Sequence, residues 1–136
     1  MKIVLDTNVV IMAFSSKSAY YEIIDAFKKE KYILVVSNEI LLEYAEILGK
    51  RYSMVLVDIF LDALLEGLNV ITIDPRFNWN LIENDPDDNK FVDAAIATGA
   101  KFLVTEDKHY NILKTIDFPH LDIINADDFL LELEKL

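Results

Sequence analysis

The chain has 136 residues and no cysteine; 53% of its residues are hydrophobic and 27% are charged. This length and composition predict one globular domain over residues 1–136, and they exclude a disordered chain, a disulfide framework and a thiolate metal site. The net charge of −11 opposes RNA binding, because nucleic-acid affinity usually depends on lysine and arginine side chains that neutralise phosphates. RNA is therefore expected as a partner only if a divalent cation in an acidic pocket supplies positive charge or a basic partner covers part of the surface. The alternative is that the excess charge only keeps the protein soluble.

The ends of the chain and its apolar runs predict a cytoplasmic protein without a membrane segment. No apolar run approaches the roughly 20 residues that a bilayer span needs. The N-terminal segment reaches the acidic residue Asp6 after three apolar residues, which is not the pattern of a signal peptide. It is expected to form a strand that begins almost at the first residue.

Short, continuous runs of apolar residues predict buried parallel strands, because strands covered on both faces do not alternate. The runs are Ile3–Leu5, Ile33–Val36, Val70–Ile73, Phe102–Val104 and the weaker Leu121–Ile124. Helical segments are predicted at Ala19–Lys29, Asn38–Lys50, Met54–Gly67, Asn89–Thr98 and Ala126–Glu134. Ser37 and Asn125 are expected to be N-caps. The alternation of strands and helices predicts an α/β fold with a three-layer α/β/α sandwich.

One long loop interrupts this alternation around Asp74–Asp88, with Pro75 and Pro86 as breakers. Loops of this length are often functional. Trp79 within the loop is expected to be a packing residue, although an aromatic ring near a pocket could also stack on a base. The histidines His109 and His120 lack the spacing of a zinc site and are expected at the surface or in loops.

The first and fourth predicted strands each end close to an acidic residue, namely Asp6 and Asp107. Ligands of open parallel sheets bind at the carboxyl ends of the strands. If these two strands are neighbours, Asp6 and Asp107 converge, and a hard divalent cation is the natural compensation for their charges. Asp6 considered alone could equally cap a following helix or form an Asx-turn. Glu106 is expected to point away from Asp107, because successive extended residues face opposite sides.

Two further acids lie on predicted helices at positions that fit a pocket wall. Asp88 is in helical phase with Phe91 and Val92, which places it on the side that packs on the sheet, although an N-cap role is the alternative. Glu43 lies at the rim of the apolar arc of its helix, and a side chain that extends to solvent explains it equally well. Asp93 falls on the opposite side of its helix and is expected to be a solvated charge.

Four fragments in a fixed order resemble the PIN-domain nucleases across nearly the whole chain, and look like the VapC-like toxins of toxin–antitoxin pairs. The fragments are Val4–Asn8, Ser37–Tyr44, Asp85–Phe91 and Leu103–Asp107. The resemblance implies a Rossmann-like, five-stranded parallel sheet of order 3-2-1-4-5, which would place the first and fourth strands side by side.

The resemblance also implies a set of site residues and a cofactor. The expected catalytic and metal-binding acids are Asp6, Glu43, Asp88 and Asp107, with Mg²⁺ or Mn²⁺ as the cofactor. Thr7, Asn8 and Thr105 would be supporting groups that orient carboxylates or water. The third acid remains open between Asp88, Asp87 and Asp93, and helical phase favours Asp88.

The function implied by the resemblance is a metal-dependent endoribonuclease that hydrolyses RNA phosphodiester bonds, as the toxin of a toxin–antitoxin pair. An antitoxin protein and a second copy of the chain are the expected partners, and the apolar stretch from Met54 to Leu61 also favours a homodimer, although core burial would explain it too. Lys90, Lys108 and Arg76 are candidate phosphate contacts.

Two other functions remain open. One is phosphoryl transfer with Asp6 as nucleophile; the phosphatase pattern has a second acid two positions later, where this chain has Asn8. The other is a non-catalytic PIN-like domain that binds RNA or a protein.

Overall fold

The computed structural model describes residues 1–74, 78–82 and 86–136. Its five strands form one parallel sheet in the order β3-β2-β1-β4-β5. The strands are β1 (Lys2–Leu5), β2 (Ile33–Val36), β3 (Val70–Thr72), β4 (Phe102–Val104) and β5 (Asp122–Ile124). The predicted strand order is therefore confirmed, and β1 and β4 are neighbours in the centre of the sheet.

Within the described ranges, six α-helices and two 3-10 helices connect or follow the strands. The α-helices are α1 (Thr7–Phe14), α2 (Glu22–Lys28), α3 (Asn38–Gly49), α4 (Met54–Glu66), α5 (Asn89–Thr98) and α6 (Ala126–Glu134). The 3-10 helices cover Pro86–Asp88 and Lys108–Thr115. Ser37 and Asn125 cap α3 and α6 as predicted, since their side-chain oxygens accept hydrogen bonds from the backbone N–H groups of Ile40 and Asp128 at 3.2 and 2.7 Å.

The sequence analysis did not predict α1, and it started the next helix too early. The segment Val9-Val10-Ile11 is rich in β-branched residues, which have a lower helix propensity than unbranched ones. Val9 and Val10 are nevertheless buried in the core. Tertiary packing of this apolar segment therefore outweighs its local preference.

The strands of the sheet centre are covered on both faces. Consecutive residues of β1 are buried, with Ile3 and Val4 fully inaccessible and Leu5 1% exposed. Because neighbouring residues of a strand point to opposite faces, this burial requires a layer on each side and agrees with the predicted α/β/α sandwich. Among the described residues, no helix has the length and apolar character that crossing a membrane would need.

Tyr44 connects α3 to the end of β1, where the candidate site begins. Its side chain is fully buried, and its hydroxyl donates a 2.5 Å hydrogen bond to the backbone carbonyl of Leu5. A buried polar group needs such a partner to offset its desolvation. The contact thus holds α3, which carries Glu43, against the strand that carries Asp6.

We expect the Tyr44→Phe variant to be destabilised by about 1–2 kcal/mol, because the Leu5 carbonyl loses this donor in a buried environment. Urea unfolding followed by circular dichroism measures the change. Tyr21→Phe is the matched control, because the Tyr21 hydroxyl interacts only with the exposed Lys28 ammonium among the described contacts. Equal stability of the two variants would contradict the structural role of Tyr44.

Candidate metal centre at the carboxyl ends of β1 and β4

The pairing of β1 with β4 brings Asp6 next to the residues that follow β4. Leu5 and Val104 are partners in the sheet, and the backbone N–H of Asp6 donates to the carbonyl of Val104 at 2.9 Å. The Thr105 hydroxyl donates a 2.7 Å hydrogen bond to Oδ2 of Asp6 and accepts one from the backbone N–H of Asp107 at 3.0 Å. A single hydroxyl group therefore links the two strand ends.

Asp6 is an ionisable group in a nearly inaccessible position, with 5% of its surface exposed. Burial raises the pKa of its carboxyl from 3.8 to about 6. Hydrogen bonds from Thr105 and from the backbone of Thr7 oppose this increase, whereas the nearby carboxylates of Glu43 and Asp107 add to it. Among the described residues, these two hydrogen bonds do not offset the cost of burying the ionised carboxylate of Asp6.

Asp107 lies in a second group of donors with Asp88 and His109. One ligand atom from each of these three side chains lies within 4.8 Å of the others. Oδ1 of Asp107 accepts a 2.9 Å hydrogen bond from the backbone N–H of His109 and lies 3.3 Å from the imidazole Nδ1. Asp88 is 9% exposed and reaches this point from the 3-10 helix Pro86–Asp88 that leads into α5.

Glu43 is held by two partners at the other side of the site. The Thr7 hydroxyl donates to its Oε2, and the Lys90 ammonium lies 2.8 Å from its Oε1. Lys90 also donates to the backbone carbonyl of Asp87 at 2.9 Å. The carboxylate of Glu43 thus forms an ion pair with a cation from the protein.

The structure brings the four predicted acids to one end of the sheet and distinguishes Asp88 from its two alternatives. Asp87 is exposed, while Asp93 is 5% exposed and accepts a 3.0 Å hydrogen bond from the backbone N–H of Trp79. The expectation that Asp93 is a solvated charge was therefore wrong. Trp79 approaches this face of the helix, a long-range contact that helical phase does not reveal.

His109 is the residue near this site that the sequence analysis missed. It was correctly expected at the surface, because its side chain is exposed. Its proximity to Asp107 results from the 3-10 helix that begins at Lys108 and turns the chain back immediately after the acid. The spacing of two residues between Asp107 and His109 was the available signal, but that spacing is too common to identify a ligand pair.

The remaining residues considered in the sequence analysis have other roles or positions. Glu106 points away from Asp107 as predicted, and its carboxylate accepts a 2.9 Å hydrogen bond from the backbone N–H of Ala126 at the start of α6. His120 is exposed and lies 2.9 Å from Asp122. Arg76 and Asp85 lie outside the described residues.

The donor set fits a hard divalent cation. Carboxylate oxygens from Asp6, Asp88 and Asp107 are the ligand type that Mg²⁺ and Mn²⁺ prefer, and an imidazole is also an acceptable ligand for Mn²⁺. Asn8 provides a further indication, because its buried side-chain oxygen has no hydrogen-bond donor among the described residues. A water molecule bound to a cation is a donor of the kind that this oxygen lacks.

The raised pKa of Asp6 predicts how stability depends on pH. The folded protein binds the Asp6 proton more tightly than the unfolded chain does. The stability of the metal-free protein therefore decreases as the pH rises from about 4 to about 6. Asp6→Asn removes this ionisation and should be more stable than wild type near neutral pH, by about 3 kcal/mol. The difference should disappear below about pH 4.

Urea unfolding in excess EDTA, repeated across this pH range, measures the effect. The exposed Asp117 provides the matched control as Asp117→Asn, which should follow the wild-type pH dependence. If the stability difference between Asp6→Asn and wild type does not change with pH, the raised pKa of Asp6 in the folded protein is contradicted.

Thr105 should control the ionisation of Asp6 through its hydrogen bond. Thr105→Val removes the hydroxyl that favours the ionised carboxylate, so the pKa of Asp6 should rise further, whereas Thr105→Ser should retain the wild-type titration. Carbon-13 NMR of the Asp6 carboxyl group measures both values. Identical titration curves for the valine and serine variants would show that the hydroxyl has no such effect.

Comparisons with known proteins agree with this fold. The model of a family described as the PIN domain matches residues 2–109, whereas no curated protein matches the sequence. Three similar solved structures cover most of the chain. VapBC2 from Rickettsia felis, solved with a DNA fragment from its promoter, is 21% identical to this chain, with a TM-score of 0.63. The superposition covers 92% of this chain and 98% of the Rickettsia chain.

The other two structures are more distant in sequence. PAE2754 from Pyrobaculum aerophilum is 14% identical with a TM-score of 0.64 and covers 100% of this chain and 91% of its own. VapC20 from Mycobacterium tuberculosis, described as a sarcin-ricin loop cleaving toxin, is 12% identical with a TM-score of 0.58 and covers 83% of this chain and 94% of its own. The matched family model spans most of the sequence, including Asp6, Glu43, Asp88 and Asp107, and the chain belongs to the PIN domain family.

Proposed function

We propose that this chain is a cytoplasmic endoribonuclease that depends on Mg²⁺ or Mn²⁺ and hydrolyses RNA phosphodiester bonds. The observation that carries the proposal is the meeting of Asp6, Asp88 and Asp107 at the carboxyl ends of two neighbouring strands. Asp6 is buried and influenced by the charge of Asp107, while Asp88 and Asp107 have oxygens within 4.8 Å of each other. A divalent cation would bind at such a concentration of negative charge. The bound cation would in turn attract a phosphate.

In the proposed reaction Asp6, Asp88 and Asp107 would hold the cation, which would supply an activated water and stabilise negative charge on the phosphate. The Thr105 hydroxyl orients the Asp6 carboxylate through their 2.7 Å hydrogen bond. Asn8 has a buried acceptor oxygen that can position a water molecule. Thr7 orients Glu43 through the hydrogen bond from its hydroxyl. No side chain of the chain itself is required as nucleophile.

The proposed biological role is that of a toxin controlled by an antitoxin protein. The support for it is the similarity of the fold to VapBC2 and VapC20, together with the resemblance of the four acidic fragments. The net charge of −11 also favours a partner with basic character, because complementary charge promotes association.

A homodimer is part of the proposal, and α4 supports it. Met54, Val55 and Ile59 on this helix are between 60% and 68% exposed, whereas Val57 and Leu64 are buried. The helix therefore has apolar side chains both in the core and at the surface. A second copy of the chain would remove the exposed ones from water.

The test of the proposed activity is cleavage of a mixed RNA substrate by the purified chain. We expect cleavage with Mg²⁺ or Mn²⁺ and none in excess EDTA, because the acidic site needs the cation to approach a phosphate. Asp6→Asn and Asp107→Asn should each lower the rate by at least about 100-fold, by loss of cation binding and orientation. Gel electrophoresis of labelled RNA measures the rates.

The control for this experiment is Asp117→Asn, which changes the net charge equally but removes an exposed acid that lies between the 3-10 helix Lys108–Thr115 and β5. It should cleave at the wild-type rate. Cleavage that survives in EDTA or in the Asp6→Asn variant would refute the proposed mechanism. A covalent phosphoryl-enzyme that depends on Asp6 would instead favour phosphoryl transfer, and RNA binding without turnover would favour a non-catalytic domain.

A further inference from the structure

A chain of contacts through Glu43 joins the start of α5 to the start of α1. The Lys90 ammonium lies 2.8 Å from Oε1 of Glu43, and the Thr7 hydroxyl donates a hydrogen bond to Oε2 of the same carboxylate. The ammonium also donates a 2.9 Å hydrogen bond to the carbonyl oxygen of Asp87. Both oxygens of Glu43 on α3 are therefore engaged by side chains from two other helices.

These contacts are partly shielded from water. The side chains of Lys90 and Glu43 are 13% and 26% exposed, and Thr7 is 5% exposed. The other lysines with described ion pairs connect positions three or four residues apart on one helix, and their side chains are more than half exposed. Because solvent screens a partly buried pair less than an exposed one, the pair of Lys90 and Glu43 is suited to hold separate helices in place.

Thr7 connects this pair to Asp6, the acid that directly precedes it. The backbone N–H of Thr7 forms a hydrogen bond with the Asp6 carboxyl group that opposes the increase in its pKa. The Thr105 hydroxyl binds Oδ2 of the same carboxylate from the neighbouring strand end, at 2.7 Å. Partners of this kind orient a carboxylate toward a metal ion and affect how tightly the ion binds. The placement of Thr7 therefore affects the orientation of Asp6.

We infer that Glu43 and Lys90 are positioning residues, which hold Thr7 and thereby keep the Asp6 carboxylate in the orientation that a divalent cation requires. Glu43 acts as the bridge between Lys90 and Thr7, and not as a ligand of the cation. The role depends on the geometry of the contacts, because the pair as a whole adds no net charge. The inference rests on the cation site of the proposed function, but not on RNA cleavage.

Replacing the pair by Glu43→Leu together with Lys90→Met removes both contacts and leaves the net charge unchanged. We expect the intact chain with both substitutions to bind Mn²⁺ about 10-fold more weakly than wild type, which is the effect of losing groups that orient a metal ligand. Electron paramagnetic resonance of free Mn²⁺ measures the Kd, and circular dichroism verifies folding. Equal Mn²⁺ affinities of the folded double variant and wild type would overturn the inference.

The matched control is Glu132→Leu together with Lys135→Met. It makes the same chemical change in an ion pair of 3.1 Å on α6 and at its end, and it also leaves the net charge unchanged. This control should bind Mn²⁺ as tightly as wild type, because its ion pair has no described contact with Thr7 or Asp6. An equal loss of Mn²⁺ affinity in the control would overturn the specific role of Glu43 and Lys90.

Thr7→Val tests the same chain of contacts with the ion pair left in place. It removes the hydroxyl that binds Glu43 and nearly preserves the size of the side chain. We expect about 10-fold weaker Mn²⁺ binding, whereas Thr7→Ser, which retains the hydroxyl, should bind as wild type does. A residue needed only for packing would be replaced by valine without loss, so wild-type affinity in Thr7→Val would overturn the inference.

RNA cleavage distinguishes failure of this inference from failure of the proposed function. If the wild type binds Mn²⁺ but cleaves no RNA, the proposed function fails, and the Mn²⁺ affinities still decide the role of Glu43 and Lys90. If the wild type cleaves RNA and all folded variants bind Mn²⁺ equally, only the inference fails. A wild type that binds no Mn²⁺ overturns both.

Discussion

The cost of burying the ionised Asp6 carboxylate at the end of a parallel sheet, to which repulsion from neighbouring carboxylates adds, is the constraint on which this site depends. Asp6 leaves β1 at the point where its neighbour β4 leads to Thr105 and Asp107, and the sheet gives these residues little freedom to separate. The buried position of Asp6 makes its charge costly, and the nearby Glu43 and Asp107 add to this cost. Without a bound cation, a protein with this arrangement is less stable above the pKa of Asp6 than below it. A ligand that brings positive charge to the site would reduce this cost.

The chain distributes this repulsion among partners of different kinds. Thr105 supplies a hydroxyl hydrogen bond to Asp6, while Lys90 supplies a full positive charge to Glu43. The hydroxyl orients its acid through a hydrogen bond, whereas the ammonium forms an ion pair with its acid. The two sides of the site therefore have different chemistry, although all four acids carry the same formal charge.

The sequence predicted the sheet well, because buried parallel strands have a clear apolar pattern and the resemblance supplied their order. The convergence of Asp6 with Asp107 followed from these two features. The same reasoning was wrong for Asp93, because the loop containing Trp79 packs on the helix face that local periodicity assigns to solvent. It also missed α1, where the burial of Val9 and Val10 outweighs the weak helix propensity of β-branched residues.

The amino-acid sequence by itself determined which residues are acidic, where the strands lie and that two of these strands end in acids. Those properties are local, so composition and periodicity carry them. Only the tertiary structure decided which groups accompany each acid: Thr105 for Asp6, His109 for Asp107, and Lys90 with Thr7 for Glu43. These pairings depend on how helices and strand ends approach one another in space, and distances of a few ångströms between side chains remote in the chain leave no periodic signal in the sequence.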